Sequence, residues 1–297
     1  MWLPTGPRIY PELFASTFGR RYALSMWMMV VVLAVCSSPA ARAEPRWPAR
    51  VQVFVANSGS DTVTVYDTRA GEVVATVPVG LHPFNVAVTK THAYVTNFGS
   101  GTVTVIEITT NKPLLTIPVG RFPHGAVASP DGSRVYVANN GAQSVTVIDT
   151  ASNKAVATIP AGLFPAGIAL SPDGERLYVA NTGTDDVTVI ETRGHRPITT
   201  TKVGDAPIGV TVTPRGRVHV TNSNSNTISV LDRSGDLIGG AVPVAAKPEG
   251  TAASPDDSFV YVANSGANLM SIVSAGTPAL VGTVPVGANP QGLAVTS

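Results

Sequence analysis

Seven side chains stand beside prolines at a recurring position, and their chemistry suits a working surface: His82, Phe84, Phe122, His124, Phe164, Lys247 and Glu249. The phenylalanines offer apolar area. The histidines, Lys247 and Glu249 offer hydrogen bonds and charge around it. Aromatic anchors in a polar surround are the makeup of an interface hot spot. An exposed ring of positions that tolerates any residue would look the same in the sequence. A second chemistry is open at the same place. Glu249 is the single acid of this ring, and Asn85 and Asn289 add oxygen donors, the kind of ligand a calcium-like ion takes. His82 and His124 lie beside that set. The plainer role for Glu249 is an exposed ion pair with Lys247.

The remaining histidines point elsewhere. His219 occupies a position where the repeat carries Tyr, so it reads as a strand packing residue, while His92 and His195 fall in turns at the opposite end of their blades. The chain holds no Gly-x-Ser-x-Gly elbow, no His-Glu-x-x-His pair and no phosphate loop. Asp67, Glu107, Asp149, Glu191 and Asp232 recur at one repeat position. There, an acid accepts backbone N–H bonds in a turn, which is a structural task.

The elements that must position these residues come from a repeat. The first strand of each unit ends in Asn57, Asn97, Asn139, Asn181, Asn222 or Asn264, spaced 40–42 residues apart. Tyr136-Val137-Ala138-Asn139 shows the pattern, and Ser144 to Asp149 the alternating Val and Thr strand that follows. A third strand leads to a Gly-x-x-Pro element, such as Gly162 to Pro165, and a fourth short apolar strand to a Ser-Pro-Asp-Gly turn at 171–174. β-Branched and aromatic residues fit a pleated, buried surface, and Asp-Gly provides the positive φ a tight turn needs. Four short strands per 40 residues or so predict one propeller blade. The fold class is all-β, a β-propeller of four-stranded blades, with six blades favoured and seven the alternative.

Six copies of Tyr-Val-Ala/Thr-Asn, each followed by a Val-Thr-Val-Ile-Asp type strand and a Pro-x-Gly-Ile-Ala type strand, resemble the YVTN-repeat β-propeller family of surface-layer and periplasmic proteins. The resemblance covers roughly residues 50–297. It implies a fold and an extracytoplasmic setting, and no single reaction. Two functions follow as expectations: a non-catalytic binding or scaffolding propeller with its ligand face at the channel mouth, or, by likeness to enzymatic propellers, a lactonase-like hydrolase with a divalent metal at that mouth. No cofactor is predicted for the first. Its partner would be an unidentified protein or envelope ligand.

The ends complete the expectations. Arg20 and Arg21, the apolar run Met26 to Val35, and Ala41-Arg42-Ala43 read as a signal peptide cleaved before Glu44, with a twin-arginine signal or a lipoprotein at Cys36 as variants. The apolar run is shorter than the 20 or so residues a membrane span requires. Residues 44–297 then form one domain, exported to the periplasm or cell surface. They contain no cysteine, so no disulfide or thiolate metal site is available. Their 16 Lys and Arg against 18 Asp and Glu make no basic stripe, and nucleic-acid binding is not indicated. The chain begins on the second strand of a blade and stops after Asn289 to Thr296, which has the sequence of a first strand. That arrangement predicts a ring closed by the C-terminal strand.

Overall fold

The computed structural model describes residues 51–295, so the expected leader at 1–43 lies outside the described residues. The chain folds into six antiparallel sheets, taken up in strict sequence order. Blade 1 holds β1 (Gln52–Asn57), β2 (Thr62–Asp67) and β3 (Glu72–Pro78). Blade 2 holds β4 (Pro83–Val88), β5 (His92–Asn97), β6 (Thr102–Glu107) and β7 (Lys112–Pro118). Blade 3 runs through β8 (Pro123–Ala128), β9 (Arg134–Asn139), β10 (Ser144–Asp149) and β11 (Lys154–Pro160). Blade 4 runs through β12 (Pro165–Leu170), β13 (Arg176–Asn181), β14 (Asp186–Glu191) and β15 (Arg196–Lys202). Blade 5 has β16 (Pro207–Val212), β17 (Val218–Asn222), β18 (Thr227–Leu231) and a two-residue β19 (Val242–Pro243). Blade 6 has β20 (Pro248–Ala253), β21 (Phe259–Asn264), β22 (Leu269–Ser274) and β23 (Leu280–Pro285). The first strands β4, β8, β12, β16 and β20 lie side by side in that order, as the inner strands of a propeller do.

The repeat Asn has a defined task. In blade 2, Asn97 Nδ2 donates to the Thr102 hydroxyl at 3.0 Å and the Thr104 hydroxyl at 2.9 Å. Asn139 does the same with Ser144 and Thr146, and Asn222 with Thr227 and Ser229. One side chain thus ties both ends of a hairpin that would otherwise leave a row of buried hydroxyls without donors. The oxygen of Asn139 accepts the Gly120 N–H and that of Asn181 the Gly162 N–H, each at 3.1 Å, which ties the end of the outer strand to the same point. The spacing of Asn, Thr and Thr in the sequence is the imprint of this network.

Blades join through apolar faces of fixed composition. Strands alternate their side chains between two faces. One face of blade 2, with Tyr94, Val103, Val105 and Ile117, packs on Val135, Val137 and Ile148 of blade 3. The same pairing recurs between blades 1 and 2, 3 and 4, 4 and 5, and 5 and 6. On the inner strands, glycine permits close approach. A Cβ at Gly125 would lie 2.5 Å from the Ala166 carbonyl oxygen, and Cβ atoms at Gly167, Gly209 and Gly250 would collide with the carbonyls of Ile208, Glu249 and Gln291. Gly167→Ala is therefore expected to lower stability by about 1–3 kcal/mol, the usual cost of overpacking, as read from urea unfolding.

The ring does not close among the described residues. Blade 6 would present Tyr261, Met270, Ile272 and Val284 to a following blade. Val284 is 40% exposed, whereas its counterparts Val77, Ile117 and Ile159 are 2%, 4% and 0% exposed. Met270 and Ile272 are half-buried where every other blade has a fully buried residue. Across from it, Val53 and Val55 of blade 1 are half-buried and Tyr66 is 37% exposed, although their counterparts Ala93, Val95 and Ile106 are fully buried. The C-terminal segment follows the register of an inner strand, since Gln291 accepts the Gly250 N–H at 2.8 Å. It makes no ladder with β1, so the closure expected from the sequence is not seen, and blade 1 has three strands.

His219 packs in the core, as its repeat position implies, and it fits there imperfectly. It is fully buried, and neither ring nitrogen has a hydrogen-bond partner. In blade 4 the Tyr178 hydroxyl reaches the Arg233 carbonyl at 2.8 Å. The Arg176 guanidinium donates to the same carbonyl at 2.9 Å, and in the next blade Arg217 keeps the matching bond to the Ala275 carbonyl at 3.1 Å while the imidazole makes none. Burial lowers the His219 pKa to about 4, with Arg217 adding to the effect and Asp257 opposing it. The unfolded chain titrates near 6.5 and so binds the proton first. Stability is full above pH 6.5 and falls as the pH drops toward 4, by roughly 3 kcal/mol for a depression of this size. His219→Tyr is expected to make that acid limb shallower, leaving the share due to the buried His124, and to raise stability at neutral pH, as read from urea titrations at pH 7.5, 5.5 and 4.5.

Candidate functional site

The candidate face lies where the inner strands begin, and its loops are built alike. In each of blades 2 to 6 the loop before the inner-strand proline is clamped by the turn between the next two strands. Phe98 N–H donates to the His82 carbonyl and Gly99 N–H to the Leu81 carbonyl, at 3.0 and 2.9 Å. Asn140 and Gly141 do the same to Phe122 and Arg121, and Ser265 and Gly266 to Lys247 and Ala246. The residue before each proline is left-handed: His82, Phe122, Phe164, Ala206, Lys247 and Asn289 have φ between 50° and 56°. Such a backbone is costly for a bulky residue and can mark a functional site. Here it recurs in every blade, on Ala206 as on Phe122, so the fold accounts for it. The turn residues Asp61, Asp185, Asn226 and Asn268 hold the conformation in four places by accepting the N–H of His82, Ala206, Lys247 and Asn289 at 2.7–2.9 Å.

The predicted residues sort into an aromatic group and a polar group. Phe84 and His124, on neighbouring inner strands, have ring centroids 3.8 Å apart. Phe98 lies 6.2 Å from Phe84 and stacks on Phe122 at 5.0 Å with 20° between the planes. Sequence reasoning missed Phe98. The signal was present, since the residue after the repeat Asn is Ser58, Asn140, Thr182, Ser223 or Ser265 in the other blades and aromatic in this one alone. Phe122 is 36% and Phe164 39% exposed. Each ring lies over the glycine of its blade's turn, Gly141 and Gly183, where a Cβ would collide with or crowd it. Leu81 and Leu163 add exposed apolar area beside them. The result is an apolar crescent on blades 2 to 4.

His124 keeps some surface, yet it lies deep enough that burial lowers its pKa to about 4, opposed by the Ala166 backbone. Its Nδ1 has no hydrogen-bond partner. Burial thus keeps the ring uncharged at neutral pH. His82 is exposed, with its Nδ1 3.2 Å from the Ser58 carbonyl.

The polar group sits on blade 6. Glu249 accepts the Ser265 hydroxyl at 2.7 Å. Burial raises its pKa, opposed by that hydrogen bond and by the charge of Lys247. Lys247 Nζ donates to Asn224 Oδ1 at 2.7 Å, so it is not the close partner of Glu249 that the sequence suggested. Asn85 is on blade 2 and Asn289 on the C-terminal segment, and no described hydrogen bond joins either side chain to Glu249. Among the described residues no three His, Cys, Asp or Glu side chains are grouped to hold a metal ion. The arrangement offers an aromatic crescent on blades 2 to 4 and, on blade 6, a carboxyl group and an ammonium group with separate partners.

This fold, with a varied ring of side chains on a repeated scaffold, defines a β-propeller. A sequence profile described as "Lactonase, 7-bladed beta-propeller" matches residues 46–192 and again 124–239. The chain belongs to that lactonase, 7-bladed β-propeller family. The solved structure of Kuenenia stuttgartiensis hydrazine synthase is similar, with a TM-score of 0.73 and 23% identity over 81% of this chain and 85% of that one. A likeness at that identity shows the fold alone. A search of curated protein sequences finds no match. No helix among the described residues is long and apolar enough to cross a membrane.

Phe122 rests on the surface of its blade, half covered by Phe98. Phe122→Ser is expected to cost about 1 kcal/mol, near the worth of an exposed aromatic pair, against the 3–5 kcal/mol of an emptied core site. Thermal unfolding of the single variant, compared with Tyr178→Ala, measures the difference.

Proposed function

We propose that the protein is an exported binding propeller, whose ligand sits on the crescent of Phe84, Phe98, Phe122 and His124. The observation that carries this reading is the four-ring cluster itself. It spans two blades, Phe98 stands where the other blades have Ser, Asn or Thr, and the cluster leaves Phe122 partly open to solvent. Exposed apolar patches with polar rims are where partners bind. The signal-like N-terminal sequence and the YVTN resemblance support an extracytoplasmic setting. A photoreactive benzoylphenylalanine at position 122 is expected to form adducts in the cell envelope. The same group at Lys90, at the other end of blade 2, is expected to form none. Equal labelling at both positions, or none at 122, would refute the reading.

A hydrolytic function is favoured by a separate observation. Glu249 is a carboxyl whose pKa is raised by burial and which accepts the Ser265 hydroxyl, in a chain of the lactonase family. A group held protonated beyond its ordinary range is suited to general acid catalysis. Lactone hydrolysis by the purified protein, with calcium or with chelator, tests it. Turnover above buffer that is lost in Glu249→Gln would replace the binding reading with this one.

A further inference from the structure

Blades 2 and 3 depart from the repeat at the mouth in more than their rings. Asn85 stands where the other five Pro-x-Gly segments have glycine, and Phe98 where the other blades have Ser, Asn or Thr. Thr96 fixes the Asn85 backbone by accepting its N–H at 2.9 Å, while the Asn85 carboxamide makes no hydrogen bond among the described residues. The mouth segments of these two blades are residues 80–84, 97–102, 119–124 and 139–144. Arg121 is the one Lys, Arg, Asp or Glu they contain. Its carbonyl is held by the Gly141 N–H at 3.0 Å. Arg121 is exposed, and its guanidinium has no ion pair or hydrogen bond among the described residues. The acid of the adjoining blade 1 turn, Asp61, is engaged with the His82 N–H at 2.7 Å. The aromatic rings are therefore accompanied by one unpaired positive charge, one unbonded carboxamide and no carboxylate of their own blades.

We infer that the crescent takes an extended segment of a partner protein in which an apolar side chain, best an aromatic one, stands next to Asp or Glu. This names the partner of the binding site proposed above and rests on that reading. The signs of the charges select the ligand. An aromatic cage for a cation would be opposed by Arg121 and supplied with no acid. A nucleic acid calls for a row of cations and an anionic membrane for a cluster of them; a single guanidinium serves neither. One carboxylate beside an apolar group matches one guanidinium beside aromatic rings, and the guanidinium fork suits a carboxylate in two-point contact. The Asn85 carboxamide offers a donor and an acceptor, the pair that each residue of an extended backbone presents. An aromatic side chain set against Phe84, Phe98 and Phe122 would be the anchor, and the carboxylate on Arg121 would fix the direction of the segment.

Isothermal titration of the protein with three capped tripeptides tests the inference: acetyl-Glu-Trp-Glu-amide, its Gln-Trp-Gln analogue and its Lys-Trp-Lys analogue. The Glu peptide is expected to bind about three- to fivefold more tightly than the Gln peptide, as an exposed ion pair allows, and the Lys peptide more weakly than either. Arg121→Gln is expected to erase the difference between the Glu and Gln peptides and to leave the affinity for the Gln peptide as it was. Phe98→Ser is expected to weaken all three. Should Arg121→Gln fail to fold, the wild-type protein decides by salt, since the preference for Glu must shrink between about 50 mM and about 500 mM sodium chloride. Three peptides bound alike, and all lost in Phe98→Ser, would overturn the acidic preference and leave the crescent standing as a binding surface. No binding of any peptide, or a preference for Glu that survives Arg121→Gln, overturns the inference. Crosslinking from position 122 tests the binding reading by itself, so the two failures are told apart.

Discussion

The structure depends on the apolar contact between neighbouring blades. No blade could hold its shape alone, since a single sheet of three or four short strands has two faces and both are apolar at their centres. Val105, Val147 and Val189 serve one face and Ile106, Ile148 and Ile190 the next. Burying each such side chain is worth roughly 1.5–3 kcal/mol, so each of blades 2 to 5 is stabilised from both sides. This is the logic of repeat proteins, in which nearest-neighbour terms carry the stability. It also explains why both ends of the array carry uncovered apolar surface. The terminal blades have one neighbour each and do not have polar outer faces.

Polar groups then decide details that the apolar contact leaves open. The repeat Asn fixes each hairpin, and the variable residue before it adds a stitch between blades. Where that residue is threonine, its hydroxyl crosses to the next inner strand: Thr96 donates to the His124 carbonyl at 2.8 Å and Thr221 to the Glu249 carbonyl at 2.7 Å. Where it is alanine, as at Ala138 and Ala180, the position is filled by packing instead. Both threonines thus anchor the backbone of a residue whose side chain belongs to the candidate surface. His124 and Glu249 are the members of the inner ring with titratable groups, and both owe their altered acidity to burial at that same ring.

Strand identity, period and turn chemistry were legible in the sequence, because each is written in local spacing. The Asn-to-Thr interval is a hydrogen-bond distance, and the Pro-x-Gly triplet records the close approach of inner strands. The candidate ring was legible in position for a similar reason. Its grouping was not. That Phe98 joins Phe84, Phe122 and His124, while Lys247 turns to Asn224, depends on side-chain directions that no spacing records. The lack of closure among the described residues was hidden for a different reason. Whether six blades meet depends on the small rotation between neighbours, summed around the axis, and a repeat sequence specifies each contact without specifying the sum.

A ring that is not closed among the described residues changes how the mouth is read. In a closed propeller, inner-strand residues converge on one axis, and ligands from opposite blades can share an ion. Here Phe84, His124, Ala166, Ile208, Glu249 and Gln291 succeed one another along an arc, from blade 2 to the C-terminal segment. An arc places neighbours in contact and leaves its ends apart. The contacts follow that rule, since Phe84 meets His124 on the next blade, while Glu249 finds Ser265 within its own.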